Sequence, residues 1–468
     1  VEQVELLERR KEIDPLGEKL IPKDVYYGIQ TARAIENFPV SGIKAPTAFI
    51  KAYVLVKKAA AMANAQVGWL DPKTEKAIIQ ACDEILEGAL HDQFVVDVFQ
   101  AGAGTSFNMN VNEVLANRAL EIMGKPKGDY KIVNPNDHVN MGQSTNDTFP
   151  TAIHVAVLMA LQPLTNELDR LAEAFEELGK KHSDTVKSGR THLQDAVPVT
   201  IGQEFGAYAS AIRHACDQLR ERQKLLCEVA LGGTATGTGA NAHPKYKRTA
   251  IAALTDMTGF PLKPASNAFE ALQSARPVQA VSSALKELAL ELIRVANDLR
   301  LLSSGPTTGL AEIVLPPVQP GSSIMPGKVN PVMAECLDMV AFQVVGNDLT
   351  VSLAVQAGQL DLNVMTPVIM HNVLSSIQLL SNYVPVFRQK CVEGIIVDEK
   401  RCAHYLDKNP SLATYLSPHI GYLEATKIAK QALAEGRSVK EIALEKGLLS
   451  PEELEKIFSP KRLTNQEK

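Results

Sequence analysis

The spacing of apolar positions changes character along the chain. From Pro150 to Ser183 the residues Val155, Val157, Leu158, Leu161, Leu164, Leu168, Leu171 and Phe175 recur at helical intervals, which predicts one sustained helix with a kink at Pro163. At ~1.5 Å per residue such a rod is about 50 Å long, beyond most globular helices. Comparable patterns run over 203–229, 275–302, 333–353 and 367–391. Five long rods predict a helix bundle. Within 278–302 alanines and leucines face several directions, more than one subunit's bundle buries, so association between copies is expected.

The flanking segments read differently. Up to 143, turn-rich pieces such as Asp14-Pro15-Leu16-Gly17 alternate with shorter helical stretches around 50–67 and 74–87. After 397 the pattern shortens to three small helices, with capping-box signals at Ser438 with Glu441 and at Ser450 with Pro451 and Glu453. No run of alternating residues predicts a strand. The expectation is an all-α fold in three domains: 1–143, a long-helix bundle over 144–397, and a small helical domain over 398–468.

Composition narrows the function classes. Only 5% of the residues are aromatic against 45% hydrophobic, so the core is built from Ala, Leu, Val and Ile, a mix that suits packed helices. The 53 acidic and 48 basic side chains give a net charge of −5 with no basic block, which argues against nucleic acid and acidic membranes as partners. Cys82, Cys216, Cys227, Cys336, Cys391 and Cys402 are scattered without a CxxC pair, so neither a disulfide framework nor a metal site is expected. The charged stretch Val1–Lys11 lacks a signal-peptide core, and no uninterrupted apolar run reaches membrane-spanning length. The reading is a cytoplasmic protein.

Where long helices dominate, the Gly-, Ser-, Thr- and Asn-rich interruptions are the places to look for chemistry. Four stand out: Gly102–Ser106, Gly142–Asp147, Gly189–Asp195 and Gly321–Pro331. Two decoys fall away. Gly321–Lys328 has five residues between its glycines, and Val329 follows where a P-loop has Ser or Thr. Gly237–Ala242 formally matches a dinucleotide fingerprint, but the sequence predicts neither a preceding strand nor a βαβ unit.

The first two interruptions offer Thr105, Ser106, Ser144, Thr145 and Asn146, neutral donors suited to a carboxylate. The same residues also suit plain helix capping, particularly Asn146 and Asp147. His192 follows Arg190 and Thr191 in a polar turn, where a lone His is either structural or functional; Glu335 is a candidate to orient or charge it. The Gly321 segment reads as a flexible flap, with Ser322 and Ser323 flanked by glycine. It delivers Lys328 and Asn330 beside a new helix, whose N-terminus and cation both favour an anion. The alternative is an ordinary Gly/Pro turn.

Together these segments resemble the aspartase/fumarase superfamily, whose signature GSSxMPxKxNP appears as Gly321-Ser322-Ser323-Ile324-Met325-Pro326-Gly327-Lys328-Val329-Asn330-Pro331. Gly104-Thr105-Ser106, Gln143–Asp147 and Gly189–Asp195 occur in the family's order and spacing, so the resemblance covers nearly the whole chain. Tyr26-Tyr27-Gly28, Gly102–Ser106, Gln143–Asp147 and Leu315-Pro316 resemble the branch that eliminates ammonia from L-aspartate to give fumarate. Ala101 and Gly142 depart from residues common in that branch. The other readings kept open are a class II fumarase and a non-catalytic structural member of the superfamily.

The resemblance implies Ser322 as the base that takes the Cβ proton. It implies Thr105, Ser144, Thr145 and Ser323 around the β-carboxylate, and Thr191, Lys328 and Asn330 at the α-carboxylate. Asn146 and His192 would approach the amino group, and Met325 would belong to the substrate site as part of the signature; Glu335 stands beside these as the candidate to orient or charge His192. It further implies a small-molecule substrate, no cofactor, and a homotetramer whose active sites each gather loops from three chains.

Overall fold

A computed structural model describes residues 8–465. The chain opens with the hairpin β1 (Arg9–Asp14) and β2 (Gly17–Pro22), then helices α1 (Ile29–Asn37), α2 (Thr47–Gln66), α3 (Pro72–Leu86) and α4 (Thr105–Ile122). The long helix α5 (Thr145–Lys181) follows, then a second hairpin, β3 (Val186–Thr191) with β4 (Gln194–Thr200), and α6 (Ile201–Gln223). Next come β5 (Glu228–Val229), α7 (Tyr246–Thr258), β6 (Lys263–Pro264), α8 (Ala268–Gln273), α9 (Arg276–Leu302) and β7 (Ile313–Val314). The remainder is α10 (Val332–Gln356), α11 (Thr366–Lys390), β8 (Ile396–Val397) and the short helices α12 (Glu399–Lys408), α13 (Ser417–Ile420), α14 (Tyr422–Glu435), α15 (Val439–Glu445), α16 (Pro451–Ile457) and α17 (Pro460–Leu463).

The fold is all-α, and α5, α6, α9, α10 and α11 are the five rods. α5 begins five residues before Pro150 and runs on through both prolines, and α6 stops at Gln223 rather than 229. The sequence reading missed the two hairpins because their alternation is broken by Gly, Pro and charged residues; Asp14–Gly17 is the turn of the first one. It also missed the parallel pair Glu228–Val229 with Lys263–Pro264, which flanks Gly237–Ala242. Two residues per strand are too few to leave a periodic signal. Among the described residues beyond 397 there are six short α-helices rather than three, and the two predicted capping boxes are both present. By length and mean composition α5 contains one stretch apolar enough to cross a membrane, although Thr and His interrupt it. However, 72% of that stretch is buried inside the protein.

The chain divides into two compact units. The first comprises residues up to Thr165, Gln218–Glu287 and Gln343–Leu380. Its core centres on Phe49, Tyr53, Phe107 and Phe149, four buried rings with centroids 5.0–6.4 Å apart. Glu113 on α4 takes the place of an N-cap for α1: it accepts from the backbone N–H groups of Gly28, Gln30 and Thr31 at 2.8–3.1 Å. Such a reach across sequence satisfies donors that the first turn leaves open.

The second unit comprises Asn166–Asp217, Leu288–Phe342 and Ser381 onward. Its C-terminal part packs Leu416, Ile428, Ile442, Leu454 and Ile457 into one buried cluster. The hairpin β3–β4 is pinned to the 409–411 segment: Asn409 Nδ2 donates to Ser188 Oγ at 3.1 Å and to the Ala196 carbonyl at 2.7 Å.

Candidate active site

The predicted site residues fall into two groups, one in each unit. In the first unit, Thr105 opens α4 and Ser144-Thr145-Asn146 opens α5. Thr105 Oγ1 lies 3.1 Å from Thr145 Oγ1, and Asn108 Nδ2 donates to Thr145 Oγ1 at 3.0 Å. Ser144 Oγ accepts from the Asn146 N–H at 3.2 Å, a local cap. The Asn146 amide instead reaches the Ala235 carbonyl at 2.8 Å. The hydroxyls of Thr105, Ser144 and Thr145 therefore gather where two helices begin, and each helix start also attracts an anion.

Below them lies a buried polar network whose deeper members the sequence reading missed. Lys57, on the apolar helix α2, is fully buried and donates to Asn140 Oδ1 at 3.0 Å and Gln143 Oε1 at 2.9 Å. Asn140 Oδ1 also accepts from Asn108 and Asn112. Asp147, treated in the sequence as a cap, is fully buried. It accepts from Ser144 N–H at 3.1 Å and from Gly232 and Thr234 N–H at 2.9 Å each. Burial pushes its carboxyl up to about 6 against the pull of those backbone donors. Burial also pushes the Lys57 ammonium down to about 7, opposed by the charge of Asp147. A signal for Lys57 was in the sequence: it closes the apolar run Tyr53-Val54-Leu55-Val56, ahead of Lys58 and three alanines.

In the second unit, Thr191 and His192 sit exposed at the turn of β3–β4, where His192 and Leu193 both have φ of 57°. The signature flap, 321–331, connects β7 to α10. Its base is closed by Gly321 N–H on the Lys328 carbonyl at 2.8 Å and by Asn330 Nδ2 on the Gly321 carbonyl at 2.6 Å. Ser322 Oγ accepts two backbone N–H groups, from Ile324 at 3.2 Å and Met325 at 2.9 Å. Ser323, Met325 and Lys328 are exposed on the same flap. Glu335 stands in the first turn of α10. Among the described residues no hydrogen bond or ion pair joins it to His192.

The pattern of the family described as "Lyase" matches residues 17–346, and that of "Fumarase C C-terminus" matches 412–465. The chain belongs to this lyase family. The lyase is 50% identical to an aspartate ammonia-lyase from Bacillus subtilis, over 98% of this chain and 96% of that protein. It superposes with a TM-score of 0.94 on a fumarate lyase:delta crystallin from Brucella melitensis bound to cobalt, at 49% identity, covering 97% of this chain and 99% of that one. It superposes equally well, with a TM-score of 0.94, on a class II fumarase from Schistosoma mansoni, at 37% identity and covering 98% and 100% of the two chains. The superfamily resemblance seen in the four loops thus extends over the whole length of the lyase.

Proposed function

We propose that this lyase is an aspartate ammonia-lyase, eliminating ammonia from L-aspartate to give fumarate. The observation that carries the reading is full-length kinship at 50% identity with an aspartate ammonia-lyase, against 37% with a class II fumarase. The Cβ proton of aspartate is weakly acidic because the adjacent carboxylate must accept a second negative charge. Preorganised donors aimed at that charge are the largest available stabilisation, about 3–4 kcal/mol for one donor in other enzymes. Thr105, Ser144, Thr145 and Ser323 serve this purpose at the β-carboxylate.

Ser322 is the base. A serine hydroxyl is a poor one unless its alkoxide is stabilised, and the two N–H groups already directed at Ser322 Oγ support that role. The alkoxide takes the Cβ proton, and the bond pair moves into the carboxylate to form an aci-carboxylate dianion. Collapse of the dianion forms the double bond, and the C–N pair leaves with nitrogen as neutral ammonia. Departure from the ammonium form needs no strong general acid. Thr191, Lys328 and Asn330 hold the α-carboxylate, Asn146 and His192 face the amino group, Glu335 assists His192, and Met325 on the flap helps to enclose the substrate.

No cofactor enters this scheme. The assembly is a homotetramer in which loops from three chains complete each site. The exposed apolar side chains of α10, with Met339, Phe342, Leu349 and Leu353 each 58–65% exposed, support association through the long helices.

Ultraviolet detection of fumarate from L-aspartate, beside the same assay with L-malate, tests the reading. Product from malate alone makes the protein a fumarase, and product from neither favours a non-catalytic member. Ser322→Ala is expected to lose at least about a thousandfold in kcat while still binding aspartate. Near-normal turnover would remove Ser322 from the base role.

A further inference from the structure

Glu312 lies between α9 and the signature flap and is fully buried. Its carboxylate accepts from Arg190 Nη1 at 2.9 and 3.0 Å and from Nη2 at 3.0 Å. It also lies 2.9 Å from Lys187 Nζ, which in turn donates to both carboxylate oxygens of Glu204 at 2.9 Å. Two cations and two carboxylates therefore balance in one cluster, where a buried charge without partners would be costly. A planar guanidinium held at more than one point is fixed in orientation as well as distance. The ring of Tyr405, 5.6 Å from the guanidinium carbon, packs near the same group.

Arg190 is the residue immediately before Thr191 and His192. Both of those are exposed, and His192 and Leu193 hold a left-handed backbone that L side chains keep only where their surroundings impose it. Residues 191–195 are all exposed, so no burial of the turn aims it. Its direction is set by the residues that anchor its two ends: on the β4 side the Asp195 carbonyl accepts from Ser411 Oγ at 3.1 Å, and on the β3 side Arg190 is tied to Glu312.

We propose that Glu312 is a positioning residue for substrate: by clamping Arg190 it aims the Thr191–His192 turn at the α-carboxylate and amino end of the amino-acid substrate. The inference rests on the ammonia-lyase reading and adds to it a group that does not touch substrate.

The test compares the full-length wild type with Glu312→Gln and Arg190→Lys, measuring kcat and KM for L-aspartate and hydrogen exchange of the amides of 190–195. Lysine keeps the charge of Arg190 but not its fork, so that variant decides the matter if Glu312→Gln does not fold. The expected result is a rise in KM of tenfold or more with kcat changed less than threefold, and faster exchange confined to the turn. A KM within twofold of wild type in a folded variant overturns the proposal, as does unchanged exchange at 190–195. A fall in kcat alone overturns it too. A wild type that makes no fumarate from aspartate sinks the functional reading instead, and the exchange data still judge the clamp.

Discussion

Gly104 precedes α4 with φ of 91°, and a side chain there has nowhere to go. The methyl of Gly104→Ala would lie 2.2 Å from Cδ2 and 2.3 Å from Cε2 of Phe149. The ring must retreat by roughly 1.3–1.8 Å to restore ordinary contact, since packed carbons sit ~3.5–4 Å apart. It is fully buried, with the rings of Phe49 and Tyr53 at 5.0 and 5.8 Å, so retreat displaces the whole cluster. Overpacking of this kind costs ~1–3 kcal/mol, and the left-handed backbone adds ~1–2 kcal/mol for alanine. At about 2–4 °C per kcal/mol for a unit of a few hundred residues, the sum of ~2–5 kcal/mol lowers Tm by roughly 4–20 °C. Gly68→Ala is the control, because its φ is 79° but no atom lies within 4 Å of the new methyl. It is expected to show the backbone part alone. Thermal melts of both variants at one scan rate, with aspartate kinetics alongside, separate the two contributions. The ring stands one turn beyond Thr145, so kcat/KM is expected to fall in Gly104→Ala and not in Gly68→Ala. If the two variants melt at the same temperature, the Phe149 ring is not the constraint and the argument from close packing fails.

Lys328→Met removes the exposed cation of the flap, and loss of a charge-assisted hydrogen bond worth ~1.5–3 kcal/mol raises KM for aspartate about 10–100-fold; unchanged saturation would detach Lys328 from the α-carboxylate. Glu113 supplies a test by pH. Burial pushes its carboxyl from 4.5 up to about 7, against the pull of Thr31, Gln30 and Gly28. The folded protein therefore binds more protons than the unfolded chain between these values, and the stability it contributes, present below pH 4.5, is lost as pH rises through 7. Glu113→Gln removes that dependence, so its stability relative to wild type should improve by about 3 kcal/mol between pH 4.5 and pH 8. A gap in Tm that stays constant over this range would show that Glu113 does not titrate as the buried geometry implies.

The amino-acid sequence by itself determined the helical rods, because apolar residues at 3.6-residue spacing over more than twenty positions admit few other solutions. It also determined the capping boxes, which are local hydrogen bonds between residues three apart. The four loops were legible as well, since Gly, Ser, Thr and Asn interrupt otherwise continuous helices, and their order carried the family. Only the tertiary structure decided what stands behind those loops. Lys57 meets Asn140 and Gln143 more than eighty residues away, Asp147 meets Gly232 and Thr234, and Arg190 meets Glu312 across 122 positions. Apart from the apolar run that precedes Lys57, nothing local distinguishes these charges from solvated ones. They become buried partners only when helices far apart in sequence pack, because an ionised group withdrawn from water must find its counter-charge or its backbone donors wherever the fold brings them.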